Sequence, residues 1–172
     1  MTLDKSPVYS GDMDKLPVDR SSCEHILMGT DEVTVLASSA GTGGALFAVE
    51  IRMRPGGGPP VLHRHEPGEV YHVTAGEFTF YVGDGPDGAV RRVTARAGDV
   101  VPLAGGVPHT VRNESAGDAT AFVVHAPGAP MEGFCRAVAA AAADGPPAME
   151  QVLGIAAANG ITLLGPVPAA GS

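Results

Sequence analysis

Gly57-Gly58-Pro59-Pro60-Val61-Leu62-His63-Arg64-His65-Glu66-Pro67-Gly68-Glu69 is the stretch whose reading decides the fold. Val61 to His65 has the length of a short strand between two turn signals, Pro55 to Pro60 on one side and Pro67-Gly68 on the other. In a strand, residues two apart project from one face, so His63 and His65 point the same way. The turn at Pro67-Gly68 reverses the chain, and Glu69 opens the next strand beside them. Two imidazoles and a carboxylate arriving from neighbouring strands can grip one divalent ion of the Fe(II), Mn(II), Ni(II), Co(II) or Zn(II) class.

The same strand-and-turn rhythm continues on both sides. Upstream, Val33 to Ala37 is a short strand, and in Ala45 to Met53 the residues Ala45, Phe47, Val49, Ile51 and Met53 alternate with Glu50 and Arg52, the mark of a half-buried strand. Downstream, strands are expected at Glu69 to Thr74, Phe78 to Val82, Val90 to Ala95, Val100 to Leu103, Thr110 to Arg112 and Thr120 to His125. Their turns carry much of the chain's load of 24 Gly and 15 Pro. Eight or more short strands at roughly ten-residue intervals describe an all-β sandwich or barrel. After Pro127 the period changes. Phe134 and Val138 lie four apart in an Ala-rich helix that Asp144-Gly145-Pro146-Pro147 ends. Met149, Val152, Leu153 and Ala156 mark a second helix, closed by Asn159-Gly160.

A fourth histidine in a comparable setting lies about forty residues on: Gly98-Asp99 starts a strand, Pro102 to Pro108 forms a Gly-rich turn, and His109 follows. On these residues the chain resembles the cupin superfamily. Gly57, His63, His65, Glu69 and Gly76 stand at every fixed position of the first cupin motif, and Gly98, Gly106, His109 and Asn113 stand at those of the second. One departure is Ala104, at a position where the family has a proline that shapes a turn. The likeness covers about residues 45 to 126. Single-domain quercetin-dioxygenase-like cupins are the nearest subtype in style, through the two helices and the segment Ile161 to Pro166.

The resemblance implies a single-domain cupin β-barrel (a double-stranded β-helix, or jelly roll) with two C-terminal helices. The expected divisions are an N-terminal arm over 1–32, the barrel over 33–126, a helical extension over 127–165 and a flexible tail over 166–172. It also implies one divalent transition metal per chain held by His63, His65, Glu69 and His109. Glu69 doubles as the candidate catalytic group, or else sits just outside the ion and orients an imidazole. Tyr71 shares the phase of Glu69 and is expected to point inward. Phe78, Phe80 and His125 are further pocket candidates. His72 has the opposite phase and should face away, Glu66 reads as a solvated turn residue, and His25 carries no signal. Gly57, Gly76, Gly98 and Gly106 are expected to serve turns with φ > 0.

Function follows as three expectations. The first is a dioxygenase-like oxidoreductase acting on a small chelating enol, phenol or diketone. The second is a polyketide cyclase or isomerase that uses the ion as a Lewis acid. The third is a non-catalytic small-molecule-binding cupin. Composition narrows the partners. A net charge of −8, from 19 acids against 11 bases, repels a phosphate backbone, so nucleic acid is not expected. The longest Ala-rich run, Ala137 to Ala143, is too short for a bilayer, and Met1 to Lys5 lacks the apolar run of a secretory leader. A cytoplasmic homodimer is expected, with Cys23 and Cys135 as reduced thiols. The abundance of Ala, Gly and Pro points to a GC-rich bacterial source.

Overall fold

Turn residues cut the chain into short segments, and period-two burial decides which way each segment faces. The computed structural model describes residues 16–84 and 88–167. Its strands are β1 (Glu24–Met28), β2 (Asp31–Ala37), β3 (Phe47–Met53), β4 (Val61–Arg64), β5 (Gly68–Ala75), β6 (Glu77–Asp84), β7 (Ala89–Arg96), β8 (Val100–Leu103), β9 (His109–Arg112) and β10 (Ala119–Ala126). Helices α1 (Ala129–Ala141) and α2 (Met149–Ala158) follow, and β11 (Thr162–Pro166) comes last. One sheet has the order β1-β2-β3-β10-β5-β8 and the other β11-β4-β9-β6-β7. The arrangement is a two-sheet β-barrel with two C-terminal helices.

Alternation places the core between the sheets. Along β10, Ala119, Ala121, Val123 and His125 are buried, while Phe122 between them is exposed. Along β5, Glu69, Tyr71 and Val73 are buried and Val70, His72 and Thr74 face out. Phe47, Phe78 and Phe80 are fully enclosed with Val49, Val73 and Val123. Each such side chain stabilises the fold by about 1.5–3 kcal/mol relative to exposure. Among the described residues no helix is long and apolar enough to cross a membrane.

Three expectations are corrected. The stretch expected as an irregular arm up to residue 32 contains β1, which pairs antiparallel with β2 through Ile26↔Val33; residues 1–15 of that arm lie outside the described residues. The tail expected to begin at residue 166 overlaps a strand, since β11 runs through Pro166 and pairs with β4; residues 168–172 lie outside the described residues. Gly57 does not serve a positive-φ turn as Gly76 does (φ 71°). It is needed for space instead, because a Cβ there would sit 2.9 Å from the Arg54 carbonyl and against the Asp31 carboxylate.

The first helix is tied to the barrel by charge. Buried Glu132 on α1 accepts hydrogen bonds from the Ser39 backbone N–H (2.6 Å) and hydroxyl (2.5 Å). Arg136, one turn later, donates to Glu132 (2.9 Å) and reaches Glu24 on β1 (2.7 Å). After α2 the chain turns at Gly160 (φ 71°) and runs back along β4. The C-terminal excursion therefore closes over the end of the barrel that carries His63.

Candidate metal centre

Strand register builds the site from both sheets. On β4 and β9, His63 and His109 are direct cross-strand partners. On the facing sheet, Glu69 of β5 and His125 of β10 are direct partners. His65 follows β4 by one residue. The turn between β8 and β9 docks on it, with the Gly106 N–H donating to the His65 carbonyl at 2.7 Å. That contact brings His109 to His63 and forms with Ala104 standing in place of the family proline. Asn113 follows β9 directly and is fully buried. Its amide donates to the Met53 and Gly117 carbonyls (2.9 and 2.7 Å), which fixes the chain leaving the site.

The ligating atoms of His63, His65 and His109 all lie within 4.8 Å of one another. Their ring centroids are 4.6 Å (His63 to His109), 5.0 Å (His65 to His109) and 5.7 Å (His63 to His65) apart. Glu69 adjoins this trio through two members: its Oε1 is 2.5 Å from His109 Nε2 and 3.9 Å from His65 Nε2. Its other oxygen, Oε2, lies 3.0 Å from His125 Nδ1 and 3.4 Å from the Tyr71 hydroxyl, which donates to it.

Backbone carbonyls set the tautomers. His65 Nδ1 is 2.9 Å from the Pro67 carbonyl and His109 Nδ1 is 2.8 Å from that of Val107. A carbonyl can only accept, so each Nδ1 carries the hydrogen and each Nε2 turns a lone pair into the site. His65 Nε2, His109 Nε2, Glu69 Oε1 and His125 Nδ1 are buried and have no partner with hydrogen-bond geometry among the described residues. The close approaches to Glu69 are thus matters of charge, not directed hydrogen bonds. Two lone-pair bearers at 2.5 Å repel unless positive charge lies between them, and a proton or a metal cation supplies it. Buried polar atoms left unpaired cost roughly 1–3 kcal/mol each, so the cluster fits a cation.

Electrostatics agree. Burial, with the neighbouring His109, pushes His63 down to about 4, so at neutral pH it is an uncharged imidazole. His65 is lowered as well, chiefly by burial. Burial pushes the Glu69 carboxyl up, but the imidazoles of His109 and His125 outweigh it and hold the group below the usual carboxylate range. His109 is lowered by burial and raised more strongly by Glu69, for a net rise.

The site opens into a chamber of about 120 Å³, whose wall includes Met28, Val49, Ile51, Tyr71 and Cys135. His125 also lines it. Phe78 and Phe80 do not: both are fully buried in the core, where Phe80 packs edge-on to Tyr71 at 5.2 Å. Alternation identified the inward face of β6 but could not say whether core or chamber lay behind it. His72 is exposed. Sequence reasoning did not single out Met28, Phe134 or Leu163, which also line the chamber. Leu163 is the cross-strand partner of His63, and its signal was apolarity in the Ile161 to Pro166 segment, which carried no expected strand.

Residues 49–125 match the family model described as "Cupin domain". No curated protein matches the chain significantly. Among solved structures, a single-site variant of oxalate decarboxylase from Bacillus subtilis aligns with TM-score 0.55 at 20% identity, covering 64% of this chain and 29% of that one. The Bacillus subtilis enzyme at pH 4.6 aligns with TM-score 0.54 at 20% identity, over 64% and 28%. A structure from work on the Mn(II) centres of the same enzyme aligns with TM-score 0.53 at 20% identity, over 62% and 28%. The chain spans under a third of the length of these decarboxylases, and at this identity the likeness concerns the fold. With His63 and His109 paired on neighbouring strands of one sheet of a two-sheet barrel, and with residues 49–125 matching the cupin domain model, this chain has the cupin fold over that segment.

Proposed function

We propose that the chain is a metal-dependent, quercetin-dioxygenase-like cupin. It binds one divalent transition ion on His63, His65, Glu69 and His109 and oxidises a small substrate that chelates the ion through an enol, phenol or diketone. The observation that carries this reading is the convergence of buried, unpartnered ligand atoms on one point at the edge of an apolar chamber. Manganese belongs among the candidate ions, because a structural neighbour is known for Mn(II) centres.

A bound ion would supply Lewis acidity and, if redox-active, a route to O2. The chain's own groups do the rest. Glu69 Oε2 faces His125 and Tyr71, and is placed to accept the proton of a chelating hydroxyl. His125, the cross-strand partner of Glu69, holds its Nδ1 3.0 Å from Glu69 Oε2. Apolar walls exclude water and strengthen every charge interaction at the site. Among the described residues, no Lys or Arg lines the chamber. A small dianion would therefore find only the ion itself, already partly offset by Glu69, to balance its charge, which favours a neutral or singly ionised organic substrate.

The grouping of Tyr71, hydrogen-bonded to Glu69 Oε2, with His125 Nδ1 3.0 Å from the same oxygen supports a second reading, a cyclase or isomerase in which these residues shuttle one proton without O2. Phe122, Val70 and Val100, exposed on adjoining strands of the outer face of the six-stranded sheet, support the homodimer. The deciding experiment combines elemental analysis of the purified protein with O2-electrode assays on flavonol, diketone and catechol substrates. Metal in equimolar amount and O2 uptake that needs the metal are expected. Turnover that proceeds equally without O2 would replace the first reading with the second. Absence of bound metal after reconstitution would remove both.

A further inference from the structure

Outside the chamber lies a much larger groove of about 1070 Å³, between β1, the Gly56 to Val61 loop and the two C-terminal helices. The two spaces share five wall residues, Met28, Asp31, Pro59, Phe134 and Leu163, and so adjoin at a common neck. Typical small-molecule pockets measure about 300–1,000 Å³. The inner chamber alone falls below that range, and the groove reaches its upper end. A substrate confined to the chamber would be little more than a chelating head.

We infer that the substrate is an extended molecule, with its chelating oxygens at the metal centre and an uncharged apolar tail lying through the neck into the groove. This inference rests on the function proposed above and specifies its substrate class. The groove wall is mainly apolar, with Leu27, Val138, Val152 and Met149 among its residues. Leu27 and Met149 are 62% and 60% exposed, so covering them with a tail removes apolar surface from water. Among the described residues, Arg136 is the one Lys or Arg lining the groove, and it is already bonded to Glu24 and Glu132. A phosphorylated or carboxylated tail would find no free cation there. The neck is held in shape by Asp31, whose carboxylate accepts the Gly58 N–H at 2.9 Å and so ties the β1–β2 turn to the loop before β4.

The test uses the full chain loaded with Co(II), whose visible spectrum reports ligand binding, and a series of 1,3-diketones from acetylacetone to a decyl homologue. Affinity is expected to rise along the series by about fourfold per methylene until the groove is filled. In Leu27→Glu and Met149→Glu the acetylacetone affinity should stay unchanged and the chain-length dependence should flatten. Both positions are exposed, so folding is spared, and circular dichroism checks it. If acetylacetone leaves the Co(II) spectrum unchanged, the proposed function itself fails and this inference falls with it. If acetylacetone binds but wild-type affinity is flat with chain length, the extended substrate is refuted while the metal reading stands. A flat series together with dissociation of a dimer in Leu27→Glu assigns the groove to a second copy of the chain, which also overturns the inference.

Discussion

Metal-free protein should lose stability between pH 7 and pH 5, and His63 should carry a defined share of the loss. In the folded chain burial holds this imidazole at about 4, against an ordinary value of 6.5. Below pH 6.5 the unfolded chain takes up a proton that the folded chain refuses. The stability tied to the neutral ring is therefore complete above 6.5 and is lost as pH falls toward 4. Each pKa unit is worth about 1.4 kcal/mol, so the whole window spans about 3 kcal/mol and the part between pH 7 and 5 about 2 kcal/mol. His63 is only part-buried, and solvent at the chamber reduces the share to about 1–2 kcal/mol. His109 has the opposite sign: its folded value is raised, so its contribution is full below 6.5 and declines as pH climbs. Urea denaturation of chelator-treated wild type and His63→Gln at both pH values isolates the His63 share as a difference of differences. The variant should lose about 1–2 kcal/mol less than wild type, with unchanged m-values. Equal losses in the two proteins would refute the claim that a buried neutral imidazole is held at this position.

Other consequences can be checked on the same protein. His109→Ala should strip most of the metal, read by elemental analysis at neutral pH, while leaving the far-ultraviolet spectrum of the barrel intact. Full metal content in the variant would remove His109 from the ligand set. Adding a bound ion at a hundred times its dissociation constant should stabilise the fold by about 2.7 kcal/mol, seen as a rise in Tm that chelation reverses. Phe80→Ala removes a fully buried ring and should cost about 3–5 kcal/mol in urea without touching metal affinity. Metal occupancy should fall on acidification, starting at His109, whose neighbour Glu69 favours a proton on it at higher pH than an ordinary imidazole.

Local rules reached most of the architecture. Alternation in Phe47–Met53 and in β10, and the turn residues between strands, determined which segments are strands and which of their faces is buried. Spacing around Pro67-Gly68 brought His63, His65 and Glu69 together because a strand pair and a tight turn leave few other arrangements. The same rules failed at the ends of the barrel. In β1 only Ile26 is buried, so Glu24-His25-Ile26-Leu27-Met28 shows too little alternation to announce a strand. In β11, Thr162 to Gly165 read as the end of the helical extension and Pro166 as the start of a flexible tail, and strand conformation there comes from pairing with β4.

By itself, then, the amino-acid sequence determined the strands in the middle of the barrel, the two helices and the grouping of His63, His65 and Glu69, since each depends on residues a few positions apart, while His109 entered through its likeness to the second cupin motif. Only the tertiary structure decided that His109 faces His63, that His125 stands opposite Glu69, that Phe78 and Phe80 fill core while Met28 and Leu163 line the chamber, and that a larger groove adjoins it. Those facts depend on the register between strands far apart in the chain and on what packs behind each face. The two-residue period of a strand says which side chains share a side, and nothing about what they will meet there.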